Sequence, residues 1–346
     1  MNETPILTII VPSYQTKAFL EDTLPHYFLS EEQNSLQVFL IDDGSDEETS
    51  NALETWSEKN PNLFKVFHKK NGGHGSVINF AIPFLESKYF QVIDGDDYPC
   101  QEALPPFMAF LRNVEADVVF HDVEHLYVRS KKTRLFHFGE EERRDFDEND
   151  AFFAKAKGLF QSHAITYRTD FYRAQNILLR EKVFYDDALY CAYPLIAAHH
   201  FAYCPLSVVT YRLELPGQSV ASASFQKHLE DHRLVSEDLL DFTHLKIENL
   251  GKTPLKEALL RHVAGVCSLH YSLDLRFYPE DKKVKEALQE FDRKVQAVPE
   301  VNALLEKDPL VKKLRRHHFQ NVRILYFHHA KVLRFFGRIR HHLRGE

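Results

Sequence analysis

Apolar residues fall along the first half of the chain in short unbroken runs, separated by amphipathic stretches and closed by polar clusters. "LTIIVP" (7–12), "QVFLID" (37–42), "LFKVFHK" (63–69) and "YFQVID" (89–94) read as buried strands. Helical spacing fills the gaps between them, at Phe19, Leu20, Leu24 and Tyr27 within 17–28 and again in "GSVINFAIPFL" (75–85). Asp46 is placed to cap a helix over 47–59, with Glu47 and Glu48 in its first turn. Continuous apolar strands alternating with helices predict an α/β fold: a mostly parallel central sheet with helices on both faces.

The pattern continues with a strand at "DVVFHD" (117–122) and a hairpin from "HLYVRS" (125–130) and "RLFHFG" (134–139). A short strand is expected at "AITYR", a helix at 189–200 and extended chain at 201–213. After Gly217 the texture changes to long helical patterns over 224–346, broken at 251–254, 277–279 and 299. The expected organisation is an α/β domain over 1–215, in two parts (1–100 and 101–215), followed by a helical region over 216–346.

Composition narrows the classes. With 346 residues, 44% of them hydrophobic, the chain can bury a full core. Its net charge of −7 argues against a generic nucleic-acid binder. Cys100, Cys191, Cys204 and Cys267 are scattered without a CxxC pair, so a reduced, cytoplasmic protein without a zinc site or disulfide framework is expected. No signal-peptide pattern precedes Ile6, and no run approaches the roughly 18 apolar residues of a membrane span.

Polar clusters sit where the strands end: "PSYQ" (12–15), "DDGSD" (42–46), "NGGHGS" (71–76) and "DGDD" (94–97). Ligands of open α/β sheets bind at the carboxyl ends of the strands. Packed carboxylates repel, by about 4 kcal/mol per pair at ~4 Å and an effective dielectric of ~20. A cation among them removes that cost, and hard oxygen ligands suit Mg²⁺ or Mn²⁺ with open positions for phosphate. Asp94 and Asp96 are the expected metal ligands, with Asp97 as a further candidate or a cap for the turn at Pro99. Gly95 between them lets the backbone approach a ligand. Acidic clusters after strands also serve as solvated turns and caps, and "NGGHGS" lacks GxGxxG spacing. The order and spacing of the four clusters favour a site.

Those blocks, "TIIVPSYQ", "FLIDDGSDEET", "NGGHGSVINFAI" and "QVIDGDDYP", resemble the consecutive motifs of glycosyltransferase family 2, and the likeness extends to 183–213. The resemblance implies a GT-A fold and an inverting transfer from a nucleotide sugar, with a UDP-sugar as donor and Mn²⁺ or Mg²⁺ as cofactor. It also implies residue roles. Pro12 and Tyr14 match the positions that cradle the nucleobase, Tyr14 by stacking on uracil. Asp43, with Asp42 beside it, matches the acceptor of the uracil N–H. Asn79 matches the asparagine of the third block, and Asp94, Gly95 and Asp96 match the metal–diphosphate motif. The family's third block ends in Arg-Asn, whereas Ile78 precedes Asn79 here, so a basic contact must come from His74 or elsewhere. No QxxRW-like motif follows, which argues against processive synthesis.

Inverting transfer needs a carboxylate to take the proton of the acceptor hydroxyl. "FYDDALY" (184–190) resembles the family's Glu-Asp pair, which implies Asp187 as the base and Asp186 in the glutamate position. Taken alone, Asp-Asp before a helical run is also a good helix cap. Gln161, Ser162 and His163 are candidates for the acceptor cleft, and "GQSV" (217–220) for a phosphate-facing segment or a helix start. His228 and His232 in "HLEDH" read as a surface pair rather than a metal site, and Cys191 and Cys204 as core.

From Lys312 onward the charge is almost entirely basic, and 319–343 has an apolar stripe at helical spacing. Such a helix suits an anionic membrane surface, met through 312–346 at the inner face of the cell membrane. It equally suits packing on the catalytic domain or on a second subunit, so a homo-oligomer is allowed. The expected function is transfer of a hexose-type sugar from a UDP-sugar to a glycan, lipid-linked or protein-linked acceptor, in bacterial cell-surface glycan or glycoconjugate assembly. The alternative is a catalytically silent family member acting as a binding or assembly subunit. A nucleotidyltransferase would carry a Gly-rich basic loop after the first strand, and "PSYQTKAF" is not one.

Overall fold

In a computed structural model the described residues are 4–139, 141–155, 160–215, 217–277 and 281–320. The strands are β1 (Leu7–Ser13), β2 (Leu36–Asp42), β3 (Phe64–His68), β4 (Tyr89–Val92), β5 (Tyr98–Pro99), β6 (Val118–Tyr127), β7 (Lys132–Phe136), β8 (Arg143–Phe146), β9 (Ile165–Arg168) and β10 (Phe201–Leu213). They form one sheet in the order β3-β2-β1-β4-β9-β6-β10-β5, with β7 on β6 and β8 on β10. The first four are parallel, as are β6 and β10, and β9 enters antiparallel between the two groups. The register sets Ser13 beside Asp42 and Asp42 beside His68, which brings the ends of β1, β2 and β3 level, while β4 stops at Val92 beside Ile10.

Helices α1 (Lys17–Thr23), α2 (Glu47–Lys59), α3 (His74–Ala81), α4 (Leu104–Arg112), α5 (Ala151–Lys155), α6 (Thr169–Ala174) and α7 (Asp187–Leu195) surround the sheet. Side chains alternate along each strand. Ile9, Val38 and Leu40 share one core with Leu20 of α1, Leu53 of α2 and Phe107 of α4. Ile10, Phe39 and Ile41 share the other with Val77 of α3 and Leu189 of α7. That second core runs on into α9 (Leu229–Lys246), α10 (Pro254–Phe277), α11 (Asp281–Gln296), α12 (Pro299–Leu305) and α13 (Pro309–Arg316), which follow the short α8 (Ser222–Lys227). Among the described residues no helix is long and apolar enough to cross a membrane.

Several boundaries differ from the sequence reading for local reasons. The helix expected over 17–28 becomes 3₁₀ at Leu24–Tyr27, where Pro25 enters. The one expected over 75–85 does the same at Ile82–Phe84, with Pro83. The strands expected at 117–122 and 125–130 are one strand, β6. Asp46 caps α2 as expected, accepting Thr49 N–H at 2.8 Å. The basic stripe is partly structural: Arg315 binds buried Asp292 at 2.8–2.9 Å. Residues 321–346, where most of the amphipathic pattern falls, lie outside the described residues.

Asp117 joins the turn after α7 to the sheet. Its buried carboxylate pairs with Arg168 and accepts the N–H groups of His199 at 3.0 Å and His200 at 3.1 Å. Asp117→Ala strands two backbone donors, and we expect a loss of about 3 kcal/mol, measured as a lower urea midpoint with unchanged m-value.

Candidate active site

The strand ends open into a cleft of ≈ 480 Å³, a size suited to a bound small molecule. It is lined by Pro12, Tyr14, Asp43, Asp94, Gly95 and Asp96 from the strand ends, and by His163, Val183–Asp187 and Gly217–Val220 from later segments. Tyr14 is 56% exposed, its ring free for stacking. Gly95 is required by space: a Cβ there would come within 2.8 Å of Thr16 Cγ2 and 2.9 Å of Pro12 O.

The two aspartates after β2 divide. Asp43 faces the cleft and organises the third block: Oδ1 accepts Lys69 Nζ at 2.6 Å and Gly72 N–H at 2.9 Å, and Oδ2 accepts Gly73 N–H at 2.8 Å. Oδ2 keeps capacity for one more donor. Asp42 points away from the cleft, towards Ser45 N–H at 2.9 Å, Ser50 Oγ at 2.5 Å and His68 Nδ1 at 2.9 Å. Asn79 is also turned elsewhere. Its side chain donates to Leu179 O and accepts Leu179 N–H, both at 2.9 Å, which fastens α3 to the segment leading to Asp187. Asp42 and Asn79 therefore act here through the scaffold, not by lining the cleft.

The acidic loop after β4 meets two histidines. His163 Nε2 lies 3.4 Å from Asp94 Oδ2 and 3.2 Å from Asp97 Oδ2, and its ring stacks on Tyr211 at 4.3 Å. His74 Nδ1 lies 2.9 Å from Asp186 Oδ2, and Nε2 lies 3.6 Å from Asp94 Oδ1. Enclosure opposes a charge on either imidazole, but the neighbouring carboxylates prevail: His163 is held up to about 10 by Asp94 and Asp97, and His74 up to about 9, chiefly by Asp186. Asp94 shows the reciprocal effect. Enclosure would raise it, yet His163 and His74 bring it down to about 2. Asp96 lacks such partners, and enclosure with the charges of Asp97 and Asp94 pushes it up to about 7.

Asp186 stands at the helix-cap position but makes no side-chain capping bond, because its buried carboxylate is spent on His74. Asp187, the first residue of α7, is open to the cleft. Enclosure and Asp186 raise its pKa above the ordinary 3.8. Gly75 allows this packing, since a Cβ there would lie 2.6 Å from Arg180 O and 2.9 Å from Asp186 Oδ2. Gly75→Ala should cost about 1–3 kcal/mol by overpacking. It should also lower turnover more than nucleotide affinity, read by thermal melts beside calorimetry.

Arg212 was not evident as a site residue in the sequence. Its N–H donates to Asp97 Oδ1 at 2.7 Å, its Nε donates to Asp96 O, and its carbonyl accepts from Gln218 Nε2. It thus fixes both the acidic loop and "GQSV". The available signal was a cation inside the apolar run "SVVTYRL". His228 and His232 belong to the packing: His228 stacks on Phe184 at 3.7 Å, and His232 is buried. Among the described residues the candidate metal cluster is Asp94, Asp97 and His163, whose ligand atoms lie within 4.8 Å of one another. Asp96 lines the same cleft outside that group.

An open α/β sheet with an acidic crevice at its strand ends is the general ligand-binding arrangement of such folds, GT-A transferases among them. The profile of Glycosyl transferase family 2 matches residues 8–183, and the chain belongs to that family. An uncharacterized glycosyltransferase of Mycoplasma genitalium is 22% identical over 242 residues, 68% of this chain and 78% of that protein. Uncharacterized glycosyltransferase EpsJ of Bacillus subtilis is 29% identical over 94 residues, 27% of each chain. Among solved structures, S. aureus TarS 1-349 in complex with UDP-GlcNAc has a TM-score of 0.68 at 22% identity, covering 94% of this chain and 91% of that one. The mannosyltransferase PcManGT of Pyrobaculum calidifontis, in complex with GDP-Man and Mn²⁺, has a TM-score of 0.50 at 14% identity, covering 94% and 86%. These likenesses establish the fold.

Proposed function

We propose that the protein is a metal-dependent, inverting glycosyltransferase that moves a hexose-type sugar from a UDP-sugar to an acceptor hydroxyl in bacterial cell-surface glycan assembly. The observation that carries this is that Asp187 opens into the same cleft as Asp94 and Asp96. Pro12 and Tyr14 hold the uracil, and Asp43 Oδ2 accepts its N–H. The UDP-GlcNAc and UDP complexes of TarS support a uridine donor.

The residues fit a hard divalent ion. Asp94 and Asp97 offer oxygens, and His163 offers a nitrogen once an incoming cation displaces the proton those carboxylates hold on it. Asp97 Oδ2 and His163 Nε2 are buried without a hydrogen-bond partner of good geometry. Asp94, Asp97 and His163 would hold Mn²⁺ or Mg²⁺, with Asp96 on the open side of the cleft. Bound there, the ion neutralises charge on a leaving diphosphate. Asp187 takes the proton of the attacking acceptor hydroxyl, and His74 holds Asp186 beside it.

A panel of nucleotide sugars, assayed for Mn²⁺-dependent release of free nucleotide, tests the reading. Release of UDP from one or more UDP-sugars is expected. Binding of UDP-sugars with no release under any acceptor or metal would point to a silent binding subunit instead.

A further inference from the structure

Helix α10 carries a histidine that does not reach the cleft. His262 lies in the core, 1% exposed. Its Nδ1 accepts the N–H of Phe160 at 3.1 Å, and its Nε2 faces the carbonyl oxygen of Ala188 at 3.2 Å. A backbone amide only donates and a carbonyl only accepts, so these two contacts select the neutral Nε2–H tautomer. Burial acts in the same direction, pushing the imidazole down to about 4.

Both partners adjoin the active site. Ala188 follows Asp187 in the first turn of α7. Phe160 leads through Gln161 into the turn Ser162–Ala164 that carries His163. The Phe160 ring also packs on the imidazole, with centroids 5.7 Å apart. The neighbouring Arg261 donates to Phe153 O at 2.9 Å, so successive residues of α10 grip this face. A single ring from the helical region thus touches the two segments that bring Asp187 and His163 to the same cleft.

We propose that His262 is a positioning residue for transfer: it sets the separation between the helix start bearing Asp187 and the turn bearing His163. The proposal rests on the roles given above to Asp187 and His163. A leucine at this position would fill similar space but leave the Phe160 N–H without its acceptor and Ala188 O without the imidazole donor. Glutamine retains one acceptor and one donor on a flexible stem and can restore both contacts.

The test compares His262→Leu and His262→Gln in the full chain, using whichever of UDP-glucose, UDP-galactose, UDP-GlcNAc and UDP-GalNAc the wild type turns over. For His262→Leu we expect kcat to fall by about tenfold or more, as misplacement of reacting groups does. Its donor KM and calorimetric affinity for UDP should stay within about twofold of wild type, because the residues proposed for uracil stand at the ends of β1 and β2, outside the two segments His262 touches. His262→Gln should recover most of the kcat. A purely structural role would instead lower kcat and melting temperature together in both variants. A folded His262→Leu with wild-type kcat would overturn the proposal.

A second arm needs no variant: ¹⁵N-histidine NMR of the wild type at pH 7 should show the His262 ring as a single Nε2–H tautomer. A tautomer mixture would mean the bridge is not made. Asp187→Asn serves as the control. Wild-type turnover there would remove the reading beneath the proposal, whereas an inert Asp187→Asn beside a fully active His262→Leu would remove His262 alone.

Discussion

Asp187→Asn should retain UDP affinity within about two- to threefold of wild type and lose transfer by about 10²–10⁴-fold, the range supplied by a positioned general base. Asparagine keeps the shape of the side chain but cannot accept the acceptor's proton. The nucleobase contacts proposed for Pro12, Tyr14 and Asp43 come from the ends of β1 and β2, not from α7, and are untouched. Asp186 cannot stand in, because its carboxylate is buried and engaged by His74 at 2.9 Å. The wild-type pH profile offers an independent reading. The Asp187 pKa is raised, so the base is lost as pH falls through a value above 3.8. The acid limb of kcat should lie at correspondingly higher pH than for an ordinary carboxylate, and it should vanish with the residual activity of Asp187→Asn. Initial rates of nucleotide release and calorimetry with UDP measure both parts. Transfer at the wild-type rate would dispose of the base assignment.

Elements whose cause is local were legible in the sequence. β1 to β4, the α2 cap at Asp46 and the breaks at Pro254 and Pro299 follow from apolar runs, a capping carboxylate and proline chemistry. So were the four strand-end clusters, because parallel strands must deliver their ends to one edge. Side-chain direction was not legible. Asp42 and Asp43 are adjacent and alike, yet the alternation of β2 turns one to Ser50 and His68 and the other to Lys69 and the glycine loop. Asn79 fits its motif in sequence but is consumed by Leu179, a partner 100 residues away. Arg212 and His163 reach the acidic loop only through long-range pairing, of β10 with β5 and of β9 with β4. No spacing rule carries that information.

The acidic loop yields the second large effect, and there the three aspartates should separate. Asp94→Asn should reduce Mn²⁺ affinity and metal-dependent nucleotide release by about 100-fold, the upper part of the range seen when a metal site loses a supporting group. Asp94 is the carboxylate approached by both His163, at 3.4 Å, and His74, at 3.6 Å, so its charge anchors both imidazoles. Asp97→Asn should look different. Its Oδ1 accepts the N–H of Arg212 at 2.7 Å inside the protein, so the amide risks presenting a donor to a donor, and stability should fall along with metal affinity. Asp96 carries no such structural bond to its carboxylate, and crowding leaves it up at about 7. Asp96→Asn should therefore melt at or above the wild-type temperature, because one of three mutually repelling acids is gone. Manganese EPR titrations of the three variants, set beside their thermal melts, read both quantities. Wild-type Mn²⁺ binding by Asp94→Asn would place the ion elsewhere. Equal melting of Asp96→Asn and Asp97→Asn would contradict the division between a cleft-facing acid and a buried one.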